Sequence, residues 1–137
     1  MLENQKAAKT GVSLALLAVL LAGVMPAQEQ SHVYRIPFHE TQGRIVLDAA
    51  VDGSPAPLLF DTGAAMSFSL VRRGHPLILV VRHDEPRFET AGPDERCPFL
   101  SVPEIRVDGL VGTDVLKRFR AVRINFTDHV IELEKKP

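Results

Sequence analysis

The sequence lacks most of the features that mark a specialised class of protein. Its 137 residues include one cysteine, Cys97, so no disulfide can form within the chain, and we expect a buried thiol. The five histidines are scattered and lack the spacing of metal ligands. There is no repeat of solenoid length and no low-complexity tract. We therefore expect one small domain without a metal site.

An excess of charge of one sign is also absent, since the formal net charge is −1. Residues 1–27 hold two lysines and one glutamate, so the remainder carries 14 basic and 16 acidic side chains. Such a chain has no large single-sign field to attract nucleic acid or an anionic membrane surface. The basic stretch 117–120 is interpreted as a solvated helix face. We expect neither nucleic acid nor a membrane surface as a partner.

The N-terminus has an apolar run, but a short one. Lys6 and Lys9 precede about 15 mostly apolar residues that end at Met25, followed by Pro26 and Ala27. A helix that spans a bilayer needs roughly 20 such residues. The order predicts a secretory signal peptide over residues 1–27 and an exported protein, periplasmic or extracellular. The alternative is an uncleaved anchor that holds a structural protein at the membrane.

The rest of the chain is typical of an all-β domain. Residues 28–42 are interpreted as an N-terminal segment and residues 43–137 as the domain. Arg44–Val51 alternates as a half-buried strand does, Asp52-Gly53 favours a tight hairpin, and Leu58–Phe60 suits a strand buried on both faces. One or two helical turns are expected after Thr113 or Asp114. Further strands are predicted at 66–71, 77–81, 99–102, 105–107, 121–125 and 130–133, with a loop or loose hairpin over 83–96. Many short strands with one short helix indicate a small barrel or sandwich.

The junction after Leu58–Phe60 carries the clearest chemical signal. Asp61 follows three large apolar residues directly, a place where a carboxylate is costly unless it is paired. Thr62 adds a hydroxyl, and the small residues Gly63 and Ala64 allow another backbone to approach closely. The bland interpretation is a buried turn with a capping aspartate.

Two separated stretches resemble the retropepsin-like aspartic proteases. The first runs from Gly43 to Ser69 and contains Asp61-Thr62-Gly63-Ala64. The second is residues 107–116, in which Leu110-Val111-Gly112 fills the place of the family's later apolar-apolar-glycine element before a short helix and a closing strand. The resemblance implies a small closed barrel that forms half of a twofold homodimer.

The resemblance also implies a mechanism, an aspartic endopeptidase without a metal or organic cofactor. Two copies of Asp61, one from each chain, would share a proton and activate the water that attacks a peptide bond. Thr62 would bond across the twofold axis, Gly63 would admit the close backbone contact, and Gly112 would pack beside the active-site turn. The substrate would be a peptide or protein, and the pH optimum would be acidic to mildly acidic.

The middle of the chain departs from the family's pattern. Members carry a glycine-rich flap that closes over the substrate, and the best candidate is Thr90, Ala91 and Gly92, at the end of 88–92. Without a flap, the alternative is a non-catalytic exported module that binds peptides. Asp108 and Asp114 are interpreted as turn and cap residues. Ser67 is not interpreted as a nucleophile, because no Gly-x-Ser-x-Gly elbow surrounds it.

Overall fold

The computed structural model describes residues 31–98, 101–102 and 104–137. This part of the chain forms strands and one short helix. The strands are β1 (Val33–Thr41), β2 (Arg44–Val51), β3 (Ser54–Phe60), β4 (Phe68–Ser69), β5 (Leu77–Arg82), β6 (Glu85–Thr90), β7 (Gly109–Val111), β8 (Ala121–Asn125) and β9 (Val130–Glu134), and the helix is α1 (Thr113–Leu116). The prediction of an all-β fold with one short helix near the C-terminus is confirmed.

The strands form one sheet in the order β4-β7-β3-β2-β1-β9-β8. The hairpin β5–β6 branches from it, because β6 pairs with β2 in parallel at Phe88 and Val51. Most neighbours on the main path are antiparallel, but β3 and β7 run parallel. This parallel pair matters most for the site, since it brings two distant segments to the same edge.

The central strands are buried on both faces, as predicted for Leu58–Phe60. On β3, Leu58 packs into the larger core cluster and Leu59 into the smaller one. The same division occurs on β7, where Val111 belongs to the larger cluster and Leu110 to the smaller. Successive side chains of a strand point to opposite faces, so an unbroken apolar run is what two cores require.

The predicted closure of the barrel is wrong. In the part of the chain that the structure describes, β4 and β8 are the two ends of the path, and they do not pair with each other. A strand was predicted over 66–71, but only Phe68–Ser69 enters the ladder. The chain bends away directly afterwards, where the Arg72 N–H donates to Ser69 Oγ over 2.8 Å. With only two residues in the ladder, β4 does not reach β8 and the sheet stays open.

Strand β1 is longer and more central than the sequence indicates. Pro37 interrupts the pattern, yet 33–41 is continuous because β1 changes partner there: 33–37 pairs with β9 and 38–41 with β2. The missing N–H of the proline therefore falls where one ladder ends. Likewise, Pro55 and Pro57 lie on a stretch of β3 whose only strand partner is β2.

Three further predictions bear on the elements. Of the two alternatives predicted for 83–96, the hairpin is nearer to the structure, since Glu85–Thr90 is a regular strand paired with β5. Residues 105–107 form no strand, although Ile105 is buried. The strand predicted over 99–102 and the signal peptide over 1–27 fall partly or wholly outside the described residues. Within the described residues, no helix combines the length and hydropathy needed to cross a bilayer.

Candidate functional site

The turn after β3 holds the carboxylate that the sequence singles out. The Asp61 N–H donates to the Val111 carbonyl over 3.0 Å, which extends the β3–β7 pairing by one residue. The Gly63 N–H donates to Asp61 Oδ1 over 2.8 Å, and the Ala64 N–H donates to the Asp61 carbonyl over 3.3 Å. Asp61 is half-buried, whereas Thr62 and Gly63 are exposed. A fixed turn thus presents the carboxylate at the surface.

The second motif lies directly beside this turn. In the parallel pair, Leu59 faces Leu110 and Phe60 faces Val111. Parallel strands end at the same edge of a sheet, so the residue after each strand emerges next to the other. The structure therefore brings together Asp61 and the Leu110-Val111-Gly112 motif, 51 positions apart in the chain.

Gly112 is packed against the backbone of the Asp61 turn. The neighbouring Thr113 N–H donates to the Ala64 carbonyl over 2.8 Å. A Cβ atom at position 112 would lie 2.6 Å from the Ala64 carbonyl oxygen and 3.0 Å from that of Met66. Both obstacles are backbone atoms, which cannot rotate away as a side chain can. Glycine is needed here because the two backbones approach each other closely.

A network around Ser67 fastens the same two segments, and the sequence analysis missed it. Ser67 Oγ donates to Asp114 Oδ1 over 2.6 Å and accepts the Gly112 N–H over 2.8 Å. The Ser67 N–H donates to Asp114 Oδ2 over 3.0 Å, and the Val115 N–H donates to Asp114 Oδ1 over 2.8 Å. Ser67 is fully buried. The interpretation of Asp114 as a cap residue is wrong, because the N-cap of α1 is Gly112 and no side chain caps the helix; the Asp114 carboxylate holds Ser67 instead.

A cavity of about 280 Å³ opens beside Asp61. Its walls are mostly apolar, and Arg44 and Glu104, whose charged groups approach to 3.9 Å, stand among its polar lining residues. The lining residues are Arg44, Leu59, Asp61, Phe68, Leu70, Ser101, Val102, Glu104 and Leu110. A concave apolar space next to a carboxylate is the usual form of a site for an organic ligand.

A second groove, of about 350 Å³, lies on the other side of the turn. Thr62 and Thr113 border it, and α1 and β8 supply half of its lining residues. Its lining residues are Phe60, Thr62, Thr113, Leu116, Lys117, Phe119, Arg120, Ala121, Val122 and Ile124. Strand β8 ends the sheet path, and Ile124 on it is 38% exposed.

The predicted flap residues make their contacts elsewhere. The Thr90 N–H and hydroxyl donate to Asp52 over 2.9 and 2.6 Å, and the Ala91 N–H donates to the Pro76 carbonyl over 2.8 Å. Gly92 is exposed. Among the described residues, no hydrogen bond joins Thr90, Ala91 or Gly92 to the Asp61 turn. The tip of the β5–β6 hairpin lies at 83–84, away from these three residues in the chain. Their flap role stays a prediction.

Cys97 and Asp94, two side chains between the Asp61 turn and the second motif in the chain, have shifted pKa values. Burial raises the pKa of the Cys97 thiol, which packs with Leu59 and Leu110 in the smaller core cluster, so the prediction of a buried thiol is confirmed. The Arg96 side chain beside Asp94 lowers the pKa of that carboxyl to about 2. In the described part of the chain, no group of three or more histidine, cysteine or acidic side chains could hold a metal ion.

No protein-family model and no curated protein matches the chain. Among solved structures, it is similar to the crystal structure of a retropepsin-like aspartic protease from Rickettsia conorii, with a TM-score of 0.40 and 20% sequence identity. The match covers 77% of this chain and 94% of that one.

Proposed function

We propose that the chain is an aspartic endopeptidase that acts as a homodimer, with Asp61 as the catalytic residue of each copy. One observation carries the proposal: the half-buried Asp61 carboxylate stands on a turn braced by Gly112 and opens onto an apolar cavity. A carboxylate that served only solubility would need neither the bracing nor the cavity.

The chemistry requires a second carboxylate, because one group cannot accept and donate a proton in the same step. Two carboxylates about 3 Å apart cannot both be ionised, so the pair would hold one proton. The ionised Asp61 would take a proton from the attacking water, and the protonated Asp61 would polarise the peptide carbonyl. This pairing predicts activity at acidic to mildly acidic pH.

The groove at Thr62 is the surface we assign to the second copy. It adjoins the Asp61 turn, and β8 beside it has β9 as its sole strand partner among the described elements. A copy placed there would bring its own turn against Thr62, so that the two hydroxyls could bond across the axis. The cavity on the opposite side of the turn, lined by Leu59, Phe68 and Leu110, would then hold a side chain of the peptide.

The test is peptide cleavage by the purified chain and by Asp61→Asn. The wild type should cleave a mixed peptide library between pH 3 and 7, and the variant should lose about 10²- to 10⁴-fold in kcat, the usual contribution of a general acid or base. Glu95→Gln is the control, since Glu95 is an exposed carboxylate outside the site. Cleavage by Asp61→Asn at the wild-type rate would refute the proposal.

Cleavage, measured together with the solution mass, separates this function from the non-catalytic alternative. A dimer that cleaves supports the protease, whereas a folded wild type that binds peptides and never cleaves them favours a binding module. Export, predicted from residues 1–27, is part of the same proposal. It is tested by the mass of the protein recovered outside the cytoplasm, which should lack those residues.

A further inference from the structure

A cleft distant in sequence from the Asp61 turn has the properties of a binding site. It has a volume of about 540 Å³ and lies among β1, the tip of the β5–β6 hairpin, the residues after α1 and the C-terminal end. Its lining residues are Tyr34, Val81, His83, Asp84, Arg118, Phe119, Lys135 and Lys136. None of them lines the cavity beside Asp61, and only Phe119 is shared with the groove at Thr62. The proposed peptidase activity leaves the cleft without a role.

One buried polar atom in the lining has no partner. The Tyr34 side chain is 4% exposed, and its hydroxyl is the only buried side-chain polar atom of the described residues without a hydrogen bond. Burying a hydroxyl without a hydrogen-bond partner destabilises a folded protein. Such a group calls for a specific explanation, and a ligand in the cleft that Tyr34 lines would supply the missing acceptor.

The tyrosine ring is held in place by its neighbours. It packs against Phe119 in an edge-to-face arrangement with 6.2 Å between ring centroids, and against His32 with 4.7 Å. On β1, Tyr34 pairs with Leu133 of β9. These ring contacts place the Tyr34 oxygen where no acceptor among the described residues lies within hydrogen-bond distance.

The charges of the cleft select a negative ligand. Three cationic side chains line it, and Asp84 is the one carboxylate in the lining. Arg118 donates to the Leu79 carbonyl, which occupies one of the five N–H donors of a guanidinium. Lys136 Nζ donates to the Lys117 carbonyl over 2.8 Å. The remaining donors of Arg118 and the ammonium of Lys135 can meet an anion.

We propose that this cleft binds an oxyanion, a carboxylate or phosphate group carried on a small apolar body. Its oxygens would accept from the Tyr34 hydroxyl and from Arg118, and Val81 and Phe119 would contact the apolar part. The Tyr34 hydroxyl is closed to solvent, so binding requires a small displacement of lining side chains. The long side chains of Lys135 and Lys136 can move at little cost.

The composition of the chain provides a direct optical test. Tyr34 is the only tyrosine and there is no tryptophan, so tyrosine absorption and fluorescence report on this cleft alone. Titration with cyclohexanecarboxylate or inorganic phosphate should give a saturable change. Neutral cyclohexanecarboxamide, and chloride at the same ionic strength, should give none. Tighter binding of the carboxylate indicates an organic acid as the ligand, and tighter binding of phosphate indicates a phosphorylated one.

Variants then assign the binding to these residues. Arg118→Gln should weaken it about tenfold, the loss expected for one hydrogen bond to a charged group, whereas Arg73→Gln, which removes an exposed charge elsewhere, should not. Tyr34→Phe should leave the melting temperature of the free chain unchanged or higher, yet reduce the rise that the anion produces. A response that never saturates, or an equal loss in Arg73→Gln, would overturn the proposal.

Discussion

Two regions of the molecule use the same hydrogen-bonding unit in different surroundings. In each, one aspartate accepts both the backbone N–H and the hydroxyl of a single serine or threonine. Asp114 does so with Ser67 over 3.0 and 2.6 Å, and Asp52 does so with Thr90 over 2.9 and 2.6 Å. The distances are nearly equal, so any difference in how much the two units stabilise the fold must come from their surroundings.

The surroundings differ in burial and in what the hydroxyl does next. Ser67 is fully buried and its oxygen also accepts the Gly112 N–H, so this unit joins the Asp61 turn to the segment before α1. Thr90 is half-buried beside an exposed Asp52, and its unit joins a hairpin turn to a strand end. Asp114 and Asp52 are both exposed, so water can serve either carboxylate, but the buried Gly112 N–H would lose its acceptor in a place that water does not reach. The same geometry should therefore brace the candidate site firmly and the hairpin weakly.

The largest loss of stability is expected at Gly112 in the first region, where a side chain has no room. In Gly112→Ala, the new Cβ would lie 2.6 Å from the Ala64 carbonyl oxygen, and the two segments must separate. We expect a loss of about 3 kcal/mol in the free energy of unfolding, at the upper end of overpacking costs, measured by urea denaturation. Gly92→Ala, in the second region, is the control, because a Cβ there meets nothing within 4 Å. Equal losses in both variants would contradict the comparison.

Removing the two hydroxyls tests the comparison more finely. Ser67→Ala leaves the buried Gly112 N–H and one Asp114 oxygen without the serine hydroxyl as a partner. The free energy of unfolding should therefore fall by about 2 kcal/mol. Thr90→Val removes the equivalent hydroxyl from the second region. It should lower the free energy of unfolding by less than about 1 kcal/mol, because water can donate to Asp52 instead. If peptidase activity is found, only Ser67→Ala should lower it. A larger loss of stability in Thr90→Val than in Ser67→Ala would show that burial does not determine how much each unit stabilises the fold.

Sequence reasoning located the Asp61 turn from a carboxylate that directly follows three apolar residues, and it located Leu110-Val111-Gly112 through the resemblance to a known family. It did not find the Ser67–Asp114 bond, because a pairing across 47 positions leaves no local signal. The nearest hint was a serine shortly after the turn and an aspartate shortly after Gly112, which became informative only once β3 and β7 were seen side by side. The prediction of a loop or loose hairpin over 83–96 did not identify strand β6 for a related reason. Glu85–Thr90 is polar on its exposed face, and only Phe88 is buried in it.

The smallest expected effect concerns the pKa of Asp52 in the second region. The Thr90 hydroxyl and then the Thr90 N–H lower the pKa of this carboxyl from its ordinary value of 3.8. The resulting stabilisation is therefore present above pH 3.8 and is lost as the pH falls through the lower, folded-state pKa. Residue-resolved NMR should place the Asp52 midpoint below 3.8 in the wild type and nearer that value in Thr90→Val. A wild-type midpoint at or above 3.8 would show that Thr90 does not favour the ionised form.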